Sequence, residues 1–294
     1  MNQEQLQKVQ QAGGFIAALD QSGGSSPKAL AGYGVPESAY STDEEMFGLI
    51  HEMRTRIITS DSFGGDRLIG AILFADTIRR QIEGVSSVEY LWKVKGVVPF
   101  LKADEGLASE QNSVQLMKPM AGLDQLLEEG REQGVFGTKM RSVIKMADPK
   151  GIEAIVEQQF EVGERILSAG LVPILEPEVD INSPEKSEAE DMLLAAIMDR
   201  IGGLDEPGVM FKLTIPDQDN LYGPLVEHPK VVRVAALSGG YSHTEACERL
   251  ARQPGMVASF SRALLEGLTV SQSKEDFDEV LGRLIGNVYA ASTT

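Results

Sequence analysis

Eight short apolar segments recur along the chain, most of them carrying charged or hydroxyl residues toward their ends, with stretches of helical periodicity between them. They are Phe15 to Asp20, Leu68 to Phe74, Gly96 to Asp104, Phe136 to Arg141, Leu171 to Glu178, Gly208 to Pro216, Val231 to Ser238, and Met256 to Arg262. Continuous apolar runs of this kind are what parallel strands require when both faces of their sheet are covered. In the clearest intervening stretch, Ile152, Ile155, Val156, Phe160, Ile166 and Leu167 follow three- and four-residue spacing, which predicts a helix. Strand and helix therefore alternate. Eight such units in 294 residues predict an α/β fold, a TIM (β/α)8 barrel forming a single domain over residues 1–294. The alternative is an open doubly wound sheet, against which no Gly-x-Gly-x-x-Gly follows the first strand.

One of the runs contains an anomaly. Lys212 interrupts Gly208-Val-Met-Phe-Lys-Leu-Thr-Ile-Pro216, where an ammonium group without a full counter-charge would lose hydration and favour its neutral, nucleophilic form. A neutral amine can form a Schiff base with a carbonyl substrate. The same residue alone also reads as a packed stem whose head reaches solvent.

The formal net charge of −17 argues against nucleic acid or an anionic membrane as partner, since either would need a concentrated basic surface. Acidic stretches such as Glu185 to Asp191 and Glu275 to Glu279 read as solvated helix faces. Against this background Lys102, Lys139, Arg141, Lys212 and Arg262 all lie in or at the ends of apolar runs. Barrel strand ends converge at the carboxyl-terminal mouth, so an acidic exterior would surround a basic centre suited to a small anion. No apolar run approaches the roughly 20 residues of a membrane span, and the polar amino terminus, Met1 to Lys8, lacks a signal core. The expectation is a cytoplasmic protein, with homo-oligomerisation left open. A single cysteine, Cys247, excludes a disulfide framework and reads as a small packed side chain.

Two turns point to phosphate. Asp20-Gln-Ser22-Gly-Gly-Ser25-Ser26-Pro27 follows the first run, its serine-proline pair resembling a helix N-cap and N1. Ser238-Gly239-Gly240-Tyr-Ser242-His-Thr-Glu245 follows the seventh, with capping-box spacing from Ser242 to Glu245. Glycine turns and helix starts present free N–H groups to oxyanions, and barrels often hold phosphate after strands seven and eight, near Arg262. Two phosphates, or two ordinary loops, fit the pattern. Glu176-Pro177-Glu178 places two acids on one side of the pleat unless the proline bends it, and Asp20 ends the first run. A Schiff-base lysine needs such acids to move protons, although strand-end salt bridges would use them equally. His51, His228 and His243 have no ligand spacing, so neither a metal nor another cofactor is expected.

Over essentially its whole length the chain resembles the class I, Schiff-base fructose 1,6-bisphosphate aldolases, in particular their shorter bacterial branch. The resemblance runs through Phe15 to Ser25, Gly70 to Phe74, Lys102-Ala-Asp104, Lys139-Met-Arg141, Pro173 to Glu178, Lys212-Leu-Thr, Leu237 to Gly240 and Ser261-Arg-Ala-Leu264. It implies metal-independent, reversible cleavage of fructose 1,6-bisphosphate to dihydroxyacetone phosphate and glyceraldehyde 3-phosphate, in glycolysis and gluconeogenesis. It implies that Lys212 forms the Schiff base, Glu176 shuttles protons, Glu178 supports that site, Asp20 acts at the hydroxyl beside the broken bond, and Lys139 assists electrostatically. Lys102, Arg141, Ser22 and Ser25 would line the distal phosphate end, and Ser238, Gly239, Gly240 and Arg262 the proximal one. Two departures stand out. Larger members end in a tyrosine that enters the site, whereas here Tyr289 is followed by Ala-Ala-Ser-Thr-Thr294; they also carry glycine where this chain has Ser261. Another sugar-phosphate Schiff-base aldolase, of tagatose-bisphosphate or deoxyribose-phosphate type, or a non-catalytic sugar-phosphate-binding barrel, are the competing readings.

Overall fold

A computed structural model describes residues 2–204 and 208–294, so Met1 of the polar amino terminus lies outside them. Each of the eight apolar runs forms a strand, the fourth and fifth extending past the ends of their runs: β1 (Phe15–Leu19), β2 (Leu68–Leu73), β3 (Val98–Lys102), β4 (Gly137–Ile144), β5 (Val172–Val179), β6 (Val209–Thr214), β7 (Val231–Leu237) and β8 (Val257–Ala258). Each pairs in parallel with the next. The ring closes where the Ala18 N–H donates to the Phe260 carbonyl at 3.2 Å. The eighth strand is much shorter than its run. Only Val257 and Ala258 pair with β7, and the chain turns before Arg262, which begins a one-turn helix rather than closing a strand.

The strands are apolar throughout because each side of the sheet is covered, and every residue of β1, β2 and β6 is buried. Side-chain alternation divides them into two layers. Ile16, Ala18, Val98, Phe100, Ile174 and Met210 fill the barrel interior, while Phe15, Ala17, Leu19, Leu175, Phe211 and Leu213 meet the surrounding helices. The interior is tight enough to require glycine at 70, since a Cβ there would stand 2.7 Å from the Phe100 ring. Helix α1 (Gln3–Gln11) covers the amino-terminal end, sending Val9 into the interior cluster. Arg233 of β7 fastens it by donating to the Val9 and Ala12 carbonyls at 2.9 and 2.8 Å.

The expected helix in the 152–167 stretch is α5 (Pro149–Ser168), capped by Asp148, which accepts from the Gly151 N–H at 3.0 Å. Four others matter to the site: α2 (Ser25–Gly32), α3 (Asp43–Thr59), α4 (Leu123–Gln133) and, following β5, α6 (Lys186–Ile201). The acids of α6 correct one expectation. Glu190 is fully buried rather than solvated, because its face of the helix meets the end of β6; there Lys186 Nζ binds Glu190 at 2.5 Å and the Ile215 carbonyl at 3.1 Å. Glu275 to Glu279 do lie outward except for half-buried Asp278 and the buried Phe277 between them. Cys247 is half-buried on a helix, as expected, and burial pushes its thiol up to about 11. No helix among the described residues is long and apolar enough to cross a membrane.

Candidate active site

The interior stripe of each strand changes chemistry at one level. Two residues beyond Ala18, Phe100, Ile174 and Met210, the same faces carry Asp20, Lys102, Glu176 and Lys212. These positions lie at the carboxyl-terminal end of the barrel, where Lys102 also stands in register with Lys139 of β4.

The groups converge on a buried network with as many carboxylates as ammonium groups. Lys139 Nζ lies 2.7 Å from Asp20, 3.1 Å from Glu176 Oε2 and 3.7 Å from Asp104. Lys212 Nζ lies 2.8 Å from Glu176 Oε1, and Lys102 Nζ donates to Asp104 at 2.6 Å. Lys139 and Glu176 are 3 % exposed and Lys212 5 %. Such a cluster survives burial only because every charge has an opposite partner. Lys212 therefore does not lack a counter-charge, contrary to the simplest reading of its apolar run. The sequence shows the run but not Glu176 from the neighbouring strand.

The two central lysines differ in company. Burial pulls the Lys139 ammonium down, but Asp20, Glu176 and Asp104 outweigh it and hold the group well above its usual range. Lys139 is a committed cation. Lys212 touches one carboxylate, and through it a route for its proton: Glu176 Oε2 is buried, faces Lys139 at ion-pair distance, and makes no hydrogen bond.

Burial pushes the Asp20 carboxyl up, yet Lys139, Lys212 and Lys102 together bring it well below the carboxylate range. Asp104 behaves likewise, burial being outweighed by Lys139 and Lys102. Asp104 was not singled out from sequence, although it sits in Lys102-Ala-Asp104; it ties three elements by accepting from Lys102 Nζ and, at 3.2 Å, the Arg141 N–H. Folded values below the unfolded ones stabilise the protein above about pH 4, and that contribution is lost as pH falls through the folded values. Asp104→Asn should therefore flatten the fall of Tm between about pH 5 and pH 2. Parallel curves for variant and unaltered protein would contradict this.

The remaining predicted residues divide. β5 runs unbroken through Pro177, and Glu178 binds Arg141 Nε at 2.5 Å rather than reaching Lys212. Ser22 lines a cleft of about 660 Å³ with Lys102, Asp104, Arg79 and Lys118, running from the network toward the start of α4. Ser25 is turned back, accepting from the Ser22 N–H at 2.9 Å and donating to the Ser22 carbonyl at 2.8 Å. The N-cap of α2 is Gly24 rather than Ser26, since the helix starts two residues early and buries Ser26 in its first turn. After β7, the Gly240 and Tyr241 N–H groups both return to the Ser238 carbonyl, at 2.7 and 2.9 Å. Gly239 needs its φ of +61° and its missing side chain, because a Cβ would stand 2.5 Å from Ile181. Ser242 caps the following helix by accepting from the Glu245 N–H at 3.3 Å, and Glu266 takes the His243 N–H at 3.0 Å, so these amides are already satisfied. What faces this turn is Arg262, whose NH2 lies 3.5 Å from where a Gly240 Cβ would be.

Residues 3–199 match the family model for class-I fructose-bisphosphate aldolase. The chain is 55 % identical to the class 1 fructose-bisphosphate aldolase of Synechocystis over 100 % of its length and 98 % of that protein. It is 56 % identical to that of Porphyromonas gingivalis, over 99 % of both chains. The chain belongs to the class-I fructose-bisphosphate aldolases. The solved fructose-bisphosphate aldolase from Plasmodium falciparum shares this aldolase's fold, with a TM-score of 0.80 at 22 % identity, covering 98 % of this chain and 93 % of that one. In this aldolase Tyr289 does not reach the site. The Tyr289 hydroxyl lies 3.7 Å from where a Cβ on Gly13 would be, beside the start of β1, so it stands at the opposite end of the barrel from Asp20.

Proposed function

We propose that this chain cleaves fructose 1,6-bisphosphate reversibly into dihydroxyacetone phosphate and glyceraldehyde 3-phosphate through a Schiff base on Lys212. The observation that carries the reading is Glu176, buried between Lys212 at 2.8 Å and the fixed cation Lys139 at 3.1 Å. Glu176 takes the Lys212 proton, and the free amine attacks the C2 carbonyl to give a carbinolamine. Glu176 then protonates the departing hydroxyl as water leaves and the iminium forms. Asp20, kept ionised by the surrounding lysines, accepts the C4 hydroxyl proton. The C3–C4 bond breaks, its electrons pass into the iminium to give an enamine, and the aldehyde departs. Protonation at C3 and hydrolysis return Lys212. Lys139 supplies fixed positive charge beside these steps without reorganising. Glu178 acts indirectly, holding Arg141 at the edge of the distal end, where Lys102 and Ser22 face the cleft. Arg262 takes the proximal phosphate carried on C1, against the Ser238-Gly239-Gly240 turn that it faces. The cytoplasmic, glycolytic setting expected from the sequence goes with this reading.

Because the iminium is the electron sink, cleavage should persist in excess EDTA, followed as triose phosphate release. Loss of activity restored by zinc would contradict the proposal. Arg262→Ala should weaken bisphosphate binding by about 1.5–3 kcal/mol, the range for a hydrogen bond to a charged group, since Arg262 is exposed before substrate arrives. An unchanged KM would make Arg262 a bystander.

A further inference from the structure

The loop after β1 is fastened to the loop after β8 through Gln21. Behind Gln21 lies Arg54 of α3, which is 0 % exposed. Its NH2 donates to the Gln21 backbone carbonyl at 2.6 Å and lies 3.3 Å from the Gln21 side-chain oxygen, while NH1 donates to Thr77 Oγ1 at 2.5 Å. A buried guanidinium whose hydrogen-bond partners are neutral is costly to keep. What it does here is orient an amide.

A guanidinium has donors only, so the Gln21 atom facing it must be the oxygen. The Gln21 nitrogen is thereby turned the other way, where it donates to the Ala18 carbonyl at 3.3 Å and to Ser261 Oγ at 2.8 Å. The Ala18 carbonyl can only accept, which confirms the same orientation. Ser261 Oγ is thus an acceptor toward Gln21, and its own proton remains to be given elsewhere. The next residue, Arg262, reaches the Gly239-Gly240 turn.

We propose that Gln21, held by Arg54, is a positioning residue that directs the Ser261 hydroxyl proton to the proximal phosphate. The inference rests on the aldolase reading above. It assigns work to the two side chains of Gln21 and Ser261 together, a pairing that glycine at position 261 would not permit.

Gln21→Glu tests it, because the substitution keeps shape and the Arg54 contacts but replaces the donor with an acceptor. Ser261 must then donate to the new carboxylate instead of to phosphate. The KM for fructose 1,6-bisphosphate should rise about tenfold, the loss falling on KM rather than kcat, as expected when a hydrogen bond to a charged group disappears. The same rise should appear with fructose 1-phosphate, which keeps only the proximal phosphate. In a Ser261→Gly background, with no hydroxyl to redirect, Gln21→Glu should change KM much less. An equal rise in that background would reduce the effect to charge repulsion and overturn the proposal, as would an unchanged KM. Should Gln21→Glu not fold, Ser261→Ala decides: a severalfold rise in KM supports the proposal and no change overturns it. Failure of the unaltered enzyme to cleave either ketose would count against the aldolase reading instead.

Discussion

Lys212→Ala is expected to abolish cleavage of fructose 1,6-bisphosphate, lowering kcat by roughly four orders of magnitude or more, since no other group can carry the covalent intermediate. Lys139 cannot take over. It is bound by three carboxylates and held protonated, whereas Lys212 faces Glu176 alone. The variant should remain folded, because Glu176 keeps Lys139 at 3.1 Å and is not left as an unpaired buried charge. Circular dichroism and triose release on the same preparation separate loss of chemistry from loss of fold. Residual turnover within tenfold of the unaltered enzyme would move the nucleophile elsewhere.

The second large effect separates the acids. Glu176 contacts both Lys212 and Lys139, but Asp20 contacts Lys139 alone at 2.7 Å. Glu176→Gln preserves shape and cannot exchange a proton, so Schiff-base formation and dehydration should slow by about 10²–10⁴-fold. Asp20→Asn should instead form the iminium and fail to break C3–C4. Single-turnover borohydride reduction reads the difference: adduct should accumulate in Asp20→Asn with little triose phosphate, and form slowly in Glu176→Gln. The reverse pattern would exchange their roles.

The strands were legible because a parallel barrel buries both faces, and burial writes itself locally as uninterrupted apolar sequence. The charged residues at their ends were legible for the same reason, standing out against Ile, Val and Leu. Their partners were not. Whether Lys212 has a counter-charge depends on the register of β5 against β6, which no local pattern encodes, and Asp104 matters only because β3 and β4 bring Lys102 and Lys139 together. Arg54 was not singled out from sequence, because only the packing of α3 turns it toward Gln21. Loop ends were least legible: the start of α2 and the short β8 differ from expectation by a residue or more, as one or two hydrogen bonds decide them.

The central claim, a Schiff base on Lys212, is tested most directly by reducing the unaltered enzyme with borohydride in the presence of fructose 1,6-bisphosphate or dihydroxyacetone phosphate and mapping the peptides by mass. The predicted result is one modified site, at Lys212 in the peptide spanning β6, absent when substrate is omitted. Mass added at Lys139 or Lys102, or no substrate-dependent adduct at all, would contradict it.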